Sequence, residues 1–142
     1  LRLHAERQVD ADVRLRFRVE AARVRPPLEK AQYGMLLYQD LRWRPLPWLQ
    51  IDARFTLFDT DDYPSRVYQF ENDLLYVMTN KMLHGRGRRT YLLLNLEPNP
   101  WLEMWIKYGA TRYDGQVSIG SGLSRIEGNR QSKIGFQMRI RI

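Results

Sequence analysis

Cysteine is absent from the 142 residues, which excludes a disulfide framework and any thiolate metal site while fitting any redox compartment. Long apolar runs are missing too. No stretch approaches about 18 consecutive apolar residues, so no transmembrane helix is encoded. Histidine is scarce: His4 and His84 lie far apart with no metal-ligand spacing beside either. A hydrolytic site would have to join Ser118, Ser121 or Ser124 to His84, and nothing in the spacing asks for it. The reading is therefore of a non-enzyme, without metal or cofactor. Gly120-Ser121-Gly122 lacks the following Lys-Ser/Thr of a phosphate cradle and reads as a flexible loop. There is no Pro-, Gly- or Gln-rich tract. The chain opens at Leu1 with neither methionine nor a signal-peptide pattern, so processing or truncation is expected to have removed what came first.

What the chain does hold is charge and alternation. Its formal net charge is +7 and its pI about 10.0, with 44% hydrophobic and 12% aromatic residues, enough for one ordered domain. A positive surplus suits a nucleic-acid binder, an anion-selective lumen or a protein lying against anionic lipid. Val13, Leu15, Phe17, Val19 and Ala21 fall on one phase, with Arg14, Arg16, Arg18 and Glu20 on the other. A helix would scatter those arginines around every face, whereas period two collects them on one side of a strand. The pattern returns from Leu49 to Leu57, where Ile51 and Phe55 alternate with Asp52 and Arg54. It returns again with Leu102, Met104, Ile106 and Tyr108 against Glu103, Trp105 and Lys107, and finally with Ile134, Phe136, Met138, Ile140 and Ile142 against Arg139 and Arg141.

Less regular strands span 1–7, 33–44 and 90–96, and no amphipathic helix stands out. The expected fold is an all-β, antiparallel up-and-down meander whose clear strands, of about ten residues or more, are long for a soluble sheet and suited to a tilted bilayer crossing. Two segments, Pro45-Leu46-Pro47-Trp48-Leu49 and Pro98-Asn99-Pro100-Trp101-Leu102, share a Pro-x-Pro-Trp-Leu pattern. In each, prolines end one strand at a tight turn and a tryptophan opens the next, where an interfacial aromatic girdle would place it. The same chemistry also serves a soluble hairpin.

Two readings fit this alternation. In a soluble sheet the apolar phase meets a shared core; in a porin-like barrel it meets lipid while charge faces a wet lumen. Arginine density, strand length and a terminal strand ending on an apolar residue favour the second. It makes Arg14, Arg16, Arg18, Glu20, Asp52, Arg54, Glu103, Lys107, Arg139 and Arg141 lumen-facing. Val13, Leu15, Phe17, Ile51, Phe55, Met104, Ile106, Phe136 and Ile140 then face lipid, with Trp48 and Trp101 at the interface. The arginines either line an electropositive wall or pair with Glu20, Asp40, Asp52 and Glu103 on neighbouring strands. Arg86, Arg88 and Arg89 form a basic cluster at a loop-to-strand junction, a place for a lipopolysaccharide phosphate or simply a solvated loop end.

Barrels of this kind put short turns in the periplasm and long loops outside. Residues 8–11, 45–47 and 98–100 are then periplasmic, and 25–32, 59–89 and 114–131 are outer connections. Residues 59–89 leave and return on one side, so they are read as a long outer loop with a hairpin folded in, Glu71, Asn72 and Asp73 breaking its alternation. About seven crossings result. Bacterial single-chain barrels are even-numbered, so the segment is expected to belong to a larger barrel and to show an open curved sheet by itself.

Phe136, Met138, Ile140 and Ile142 resemble the C-terminal signal that hands outer-membrane proteins to the barrel-assembly machinery, although that signal usually ends in an aromatic residue. A narrower resemblance covers most of the chain from Tyr33. It rests on Gly34-Met35-Leu36-Leu37-Tyr38-Gln39-Asp40-Leu41-Arg42, residues 52–61 (Asp52 to Asp61), residues 68–76 (Tyr68 to Tyr76), and Ile119-Gly120-Ser121-Gly122-Leu123 with Glu127-Gly128-Asn129. These resemble the C-terminal half of Bacteroidota-type helix-hairpin-helix domain-containing proteins. The resemblance implies a small DNA-binding-type domain ahead of a barrel, and that domain does not lie within these residues. The expectation is an outer-membrane β-barrel segment acting as pore, translocation channel or anchor for an upstream domain, in contact with outer-membrane lipid and the upstream part of its own chain. Nucleic acid would be reached only through that domain. The alternative is a soluble basic β-barrel binding nucleic acid or a small anion.

Overall fold

The computed structural model describes residues 1–28, 30–120 and 122–141. Its strands are β1 (Arg2–Gln8), β2 (Val13–Val24), β3 (Gln32–Leu46), β4 (Leu49–Thr60), β5 (Val67–Glu71), β6 (Thr79–Leu83), β7 (Arg86–Asn99), β8 (Leu102–Tyr113), β9 (Ser118–Ile119), β10 (Ile126–Glu127) and β11 (Arg130–Ile140). Seven of them form one antiparallel sheet in the order β1-β2-β3-β4-β7-β8-β11. That is the all-β meander expected from the alternation. β1 and β11 are its two edges and do not pair with each other, so the sheet is open. Among the described residues no helix is long and apolar enough to cross a membrane.

Antiparallel order sends the short connections to one end of the sheet and the long ones to the other. Residues 9–12, 47–48 and 100–101 turn at the first end; residues 25–31, 61–85 and 114–129 cross at the second. The two Pro-x-Pro-Trp-Leu segments build the same corner. The ladder slips between Trp43 and Leu46, and again between Leu96 and Asn99, so Pro45 and Pro98 sit inside irregularities where no donor is needed. The strands therefore run through these prolines rather than stopping at them. Trp48 and Trp101 form the turns, and each carbonyl accepts a backbone bond from the adjoining segment, from Glu97 N–H and Arg141 N–H, both at 2.8 Å. At the β1–β2 turn the Asp10 carboxylate does the equivalent work, accepting from the backbone N–H groups of Asp12 and Val13, both at 2.8 Å.

Register converts period two into two unlike faces. One row of consecutive partners from β2 to β11 reads Val13, Trp43, Ile51, Leu94, Ile106, Phe136. The row beside it, pointing the other way, reads Arg14, Arg42, Asp52, Leu93, Lys107, Gly135. The buried side chains belong to the second face. Leu36, Tyr38, Phe58, Val67, Leu83 and Tyr113 form one cluster, and Tyr91, Leu93 and Trp105 another against Leu74 and Leu75. Val67, Leu74, Leu75 and Leu83 come from residues 61–85, which lie over the charged face of the sheet; within them β5 and β6 pair as a hairpin. The core is thus one-sided, and nothing among the described residues covers the apolar face.

Close approach fixes where this insertion lands. A Cβ built on Gly34 of β3 would collide with the Ser65 carbonyl oxygen and lie 3.2 Å from Val67 Cγ1. Ser65 is fully buried in the capped turn that opens the insertion, and its hydroxyl bonds the Asp62 carbonyl at 2.9 Å. Backbone cannot give way as a flexible side chain would. Gly34→Ala should therefore cost about 1–3 kcal/mol and make residues 61–85 the first point of proteolytic cleavage. An unchanged denaturation midpoint with unchanged cleavage would count against this seating.

Candidate functional site

The charged face and the insertion meet in a polar network centred on Glu71, whose side chain is 0% exposed. β5 places Val67, Gln69 and Glu71 towards the sheet and Tyr68 and Phe70 away from it, again by period two. Gln69 accepts from Thr56 Oγ1 at 2.9 Å and donates to Glu71 at 2.8 Å. Arg89 of β7 grips Glu71 with two guanidinium nitrogens and donates with the third to Thr111 Oγ1 at 2.7 Å. Lys107 of β8 stands 3.4 Å from Glu71 and 2.8 Å from Asp73. Asp73 also accepts from Leu74 N–H at 2.8 Å and from the Thr79 hydroxyl. Asn72 donates to Asp52 of β4 at 3.1 Å. The three residues that break the sequence alternation, Glu71, Asn72 and Asp73, are thus the ones that dock the insertion onto the sheet.

A second centre surrounds Arg54. Its guanidinium makes a two-pronged pair with Asp40, donates to the Phe70 carbonyl at 2.7 Å, and lies 3.9 Å over the Tyr38 ring. Satisfaction on this scale is what permits a guanidinium to be buried, because an unpaired one would cost far more than the contacts return.

Every residue expected to face a lumen lies on this face. Arg16 pairs with Glu6 at 2.9 Å and reaches Asp40 at 4.0 Å; Arg14 reaches Glu6 at 3.5 Å; Arg18 bonds Glu20 on its own strand. Asp52 takes Arg42 at 2.6 Å and Gln50 at 2.7 Å. Glu103 is shared by Arg139 and, at 3.0 Å, by Arg141 just beyond β11. The arginines are thus matched by carboxylates, which is the ion-paired arrangement rather than a bare electropositive wall. On the other face stand Val13, Leu15, Phe17, Ile51, Phe55, Met104, Ile106, Phe136 and Ile140, half-buried or exposed, with Phe136 at 61%. Trp48 and Trp101 are exposed at the short-turn end, beside Trp43.

The basic cluster divides. All three arginines lie within β7, which begins earlier than the alternation indicates, and period two sends Arg86 and Arg88 to one face and Arg89 to the other. Arg86 stays exposed 3.8 Å from Asp59, while Arg89 holds Glu71. They do not form one phosphate-binding group. His84 packs edge-on against Tyr63 and near Tyr113. Ser118 lies in β9, while Ser121, the side chain of Ser124 and the terminal Ile142 fall outside the described residues. Among the described residues no group of three or more His, Asp or Glu side chains is placed to hold a metal. No family model, curated protein or solved structure gives a significant match to the chain.

Burial works to raise the Glu71 carboxyl, but the Arg89 hydrogen bonds and charge, with Gln69 and Lys107, outweigh it and hold it below the usual carboxylate range. Asp73 behaves alike, burial being overcome by Lys107, Thr79 and the Leu74 N–H. A carboxylate depressed in the folded state stabilises fully above its unfolded value, and the contribution is lost as pH falls through the folded one. The insertion should therefore stay docked at neutral pH and be released in acid, below the ordinary carboxylate range. Amide hydrogen exchange of residues 61–85 against pH checks this. Glu71→Gln should release it already at neutral pH, at a cost of about 3–5 kcal/mol, and protection independent of both pH and this substitution would refute the assignment.

Proposed function

We propose that this chain is a segment of a bacterial outer-membrane β-barrel, its apolar face against lipid and its charged face towards the barrel interior, with residues 61–85 folded inward. The observation that carries the reading is which face is left bare. Large apolar side chains are exposed on all seven strands of the sheet, from Leu3 at 59% to Ile134 at 73%, while Asp52, Arg54, Glu103 and Lys107 are buried. A soluble basic barrel needs the reverse, with Val13, Phe17, Ile51 and Phe55 converging in a core and the arginines in bulk water. An apolar surface spread over a whole sheet marks a contact with lipid or another apolar partner. In the seven-stranded sheet β2, β3, β4, β7, β8 and β11 run 11–15 residues, which suits a tilted crossing. Short turns with exposed tryptophans at one end and long segments at the other match the two ends of such a barrel.

The open edges extend the proposal. In a seven-stranded antiparallel sheet the first and last strands run the same way, so β1 and β11 could close only as a parallel pair. An odd number of further strands of the same chain between these edges would give an even, fully antiparallel count and satisfy edge N–H and C=O groups, each costly in hydrocarbon. The far side of the insertion exposes Tyr68, Phe70, Tyr76 and Met78, which would then face the rest of the barrel. In the role of pore, translocation channel or anchor, the barrel would carry the upstream domain that the resemblance to helix-hairpin-helix proteins implies, and the β11 strand would be the element offered to the assembly machinery.

Phe55→Arg or Met104→Arg should weaken insertion into lipid vesicles by about 2–4 kcal/mol, whereas Arg16→Ala should leave it intact. Co-expression with the preceding strands should add a compact, heat-resistant species on electrophoresis. Equal tolerance of arginine on both faces, or a heat-resistant conducting species from these residues alone, would sink the reading.

A further inference from the structure

Between the insertion and the β8–β11 side of the sheet lies a cleft of about 430 Å³, lined among others by Asp73, Leu74, Lys81, Lys107 and Lys133. Its size falls within the range of small-ligand sites. The floor owes its room to register: Lys107 stands opposite Gly135, and Lys133 opposite Gly109, so each lysine has a ladder partner without a side chain. Both glycines are already touched from above. A Cβ on Gly135 would lie 3.1 Å from Leu74 Cδ1, and one on Gly109 3.2 Å from Arg89 Nη2. The floor is therefore fitted to what lies over it, and side chains there would close the cleft.

The charges around the cleft do not balance. Glu71 and Asp73 are committed to Arg89 and Lys107. Lys81 from β6 and Lys133 from β11 also line the cleft, and among the described residues neither has a carboxylate within salt-bridge distance. Burial first, then the charges of Arg89 and Lys133, with Glu71 opposing, lower the pKa of the Lys81 ammonium. Two surplus cations thus border one partly enclosed space, the half-buried Lys81 and the exposed Lys133, with Gln131 beside them as a donor and Leu74 and Val77 as an apolar wall. Most arginines elsewhere on the charged face meet carboxylates, as Arg16, Arg54, Arg89 and Arg139 do; these two lysines meet none.

We propose that this cleft is a binding site for an oxyanion, a carboxylate or phosphate head held by Lys81 and Lys133, carried on a partly apolar body that packs on Leu74 and Val77. The site needs only the packing of the insertion on the sheet. Its test is accordingly separate from that of bilayer insertion and is done on the whole chain in neutral detergent.

Isothermal titration with sodium phosphate and with sodium hexanoate should show both binding and competing, hexanoate about tenfold tighter through its methylenes. The double variant Lys81→Gln/Lys133→Gln should weaken both by about tenfold or more, and Lys81→Arg/Lys133→Arg should retain binding. Without ligand the glutamine variant should be as stable as the parent or more so, because it removes a repulsion. That result separates a ligand site from a structural role. No binding by the parent, undiminished binding by the glutamine variant, or a glutamine variant less stable without ligand would each overturn the proposal. Phosphate binding that hexanoate does not displace would overturn its apolar half and leave the free anion as the ligand.

Discussion

A carboxylate with no access to water, Glu71, is held between Arg89 and Lys107, and much of the structure follows from keeping it satisfied. Its partners come from β7 and β8, and its own strand β5 is brought over them by the 61–85 insertion. Remove Glu71 and Arg89 is left under the insertion without a counter-charge, while Lys107 keeps only Asp73, and a buried charge stripped of its partner is costly. The pairing works only while the insertion lies flat, and that in turn needs the bare backbone of Gly34 beneath Ser65. A single ion-pair centre thus couples the local choice of a glycine, the course of a long connection and the polarity of one whole face.

That polarity is the reverse of a soluble sheet's. Hydrophobic burial stabilises a soluble fold by hiding its apolar phase, yet here the apolar phase of every strand is the exposed one and the core contains Tyr38, Tyr91 and Trp105 among charges. The aromatic rings take part in the electrostatics. Arg54 lies over Tyr38, Lys107 is 5.0 Å from the Tyr91 ring and the half-buried Arg139 is 5.6 Å from Trp105, so cations find negative ring faces beside them. Such a core gains from polar complementarity, and it leaves the apolar face free for a contact outside the chain.

Much of this was legible in the sequence, because period two and strand pairing are local. The four clearest alternating segments became β2, β4, β8 and β11, and the Pro-x-Pro-Trp-Leu repeat became two equivalent corners. The break at Glu71, Asn72 and Asp73 marked the docking residues, although the sequence does not say which cations they meet. Pairing across β4, β7 and β8 depends on a register that no single segment encodes. The same gap hid the cleft, since Lys81 and Lys133 are distant in sequence and meet only once the insertion folds over β11. The Arg86, Arg88 and Arg89 cluster misled for the opposite reason. Adjacent residues of a strand point to opposite faces, so closeness in sequence is separation in space for Arg88 and Arg89. The small β9–β10 ladder, inside a stretch read as loop, is too short to leave a periodic signal.

The long insertion leaves from β4 and re-enters at β7, and these two strands are themselves hydrogen-bonded neighbours from Leu49↔Leu96 to Asp59↔Arg86. Its two ends are therefore held about one strand spacing apart by the ladder itself, whatever lies between them. The entropy of closing such a loop grows only logarithmically, about 0.6 kcal/mol for each doubling of length. Register and loop length are thereby insulated from one another: the exposed tip at Tyr76 and Met78 can lengthen at little entropic cost while the seven-stranded ladder keeps its alignment, provided Val67, Glu71, Asp73 and Leu83 stay docked. The ladder and the insertion meet at Thr60 and Gly85, where Thr60 N–H donates to the Gly85 carbonyl at 3.0 Å and closes the neck.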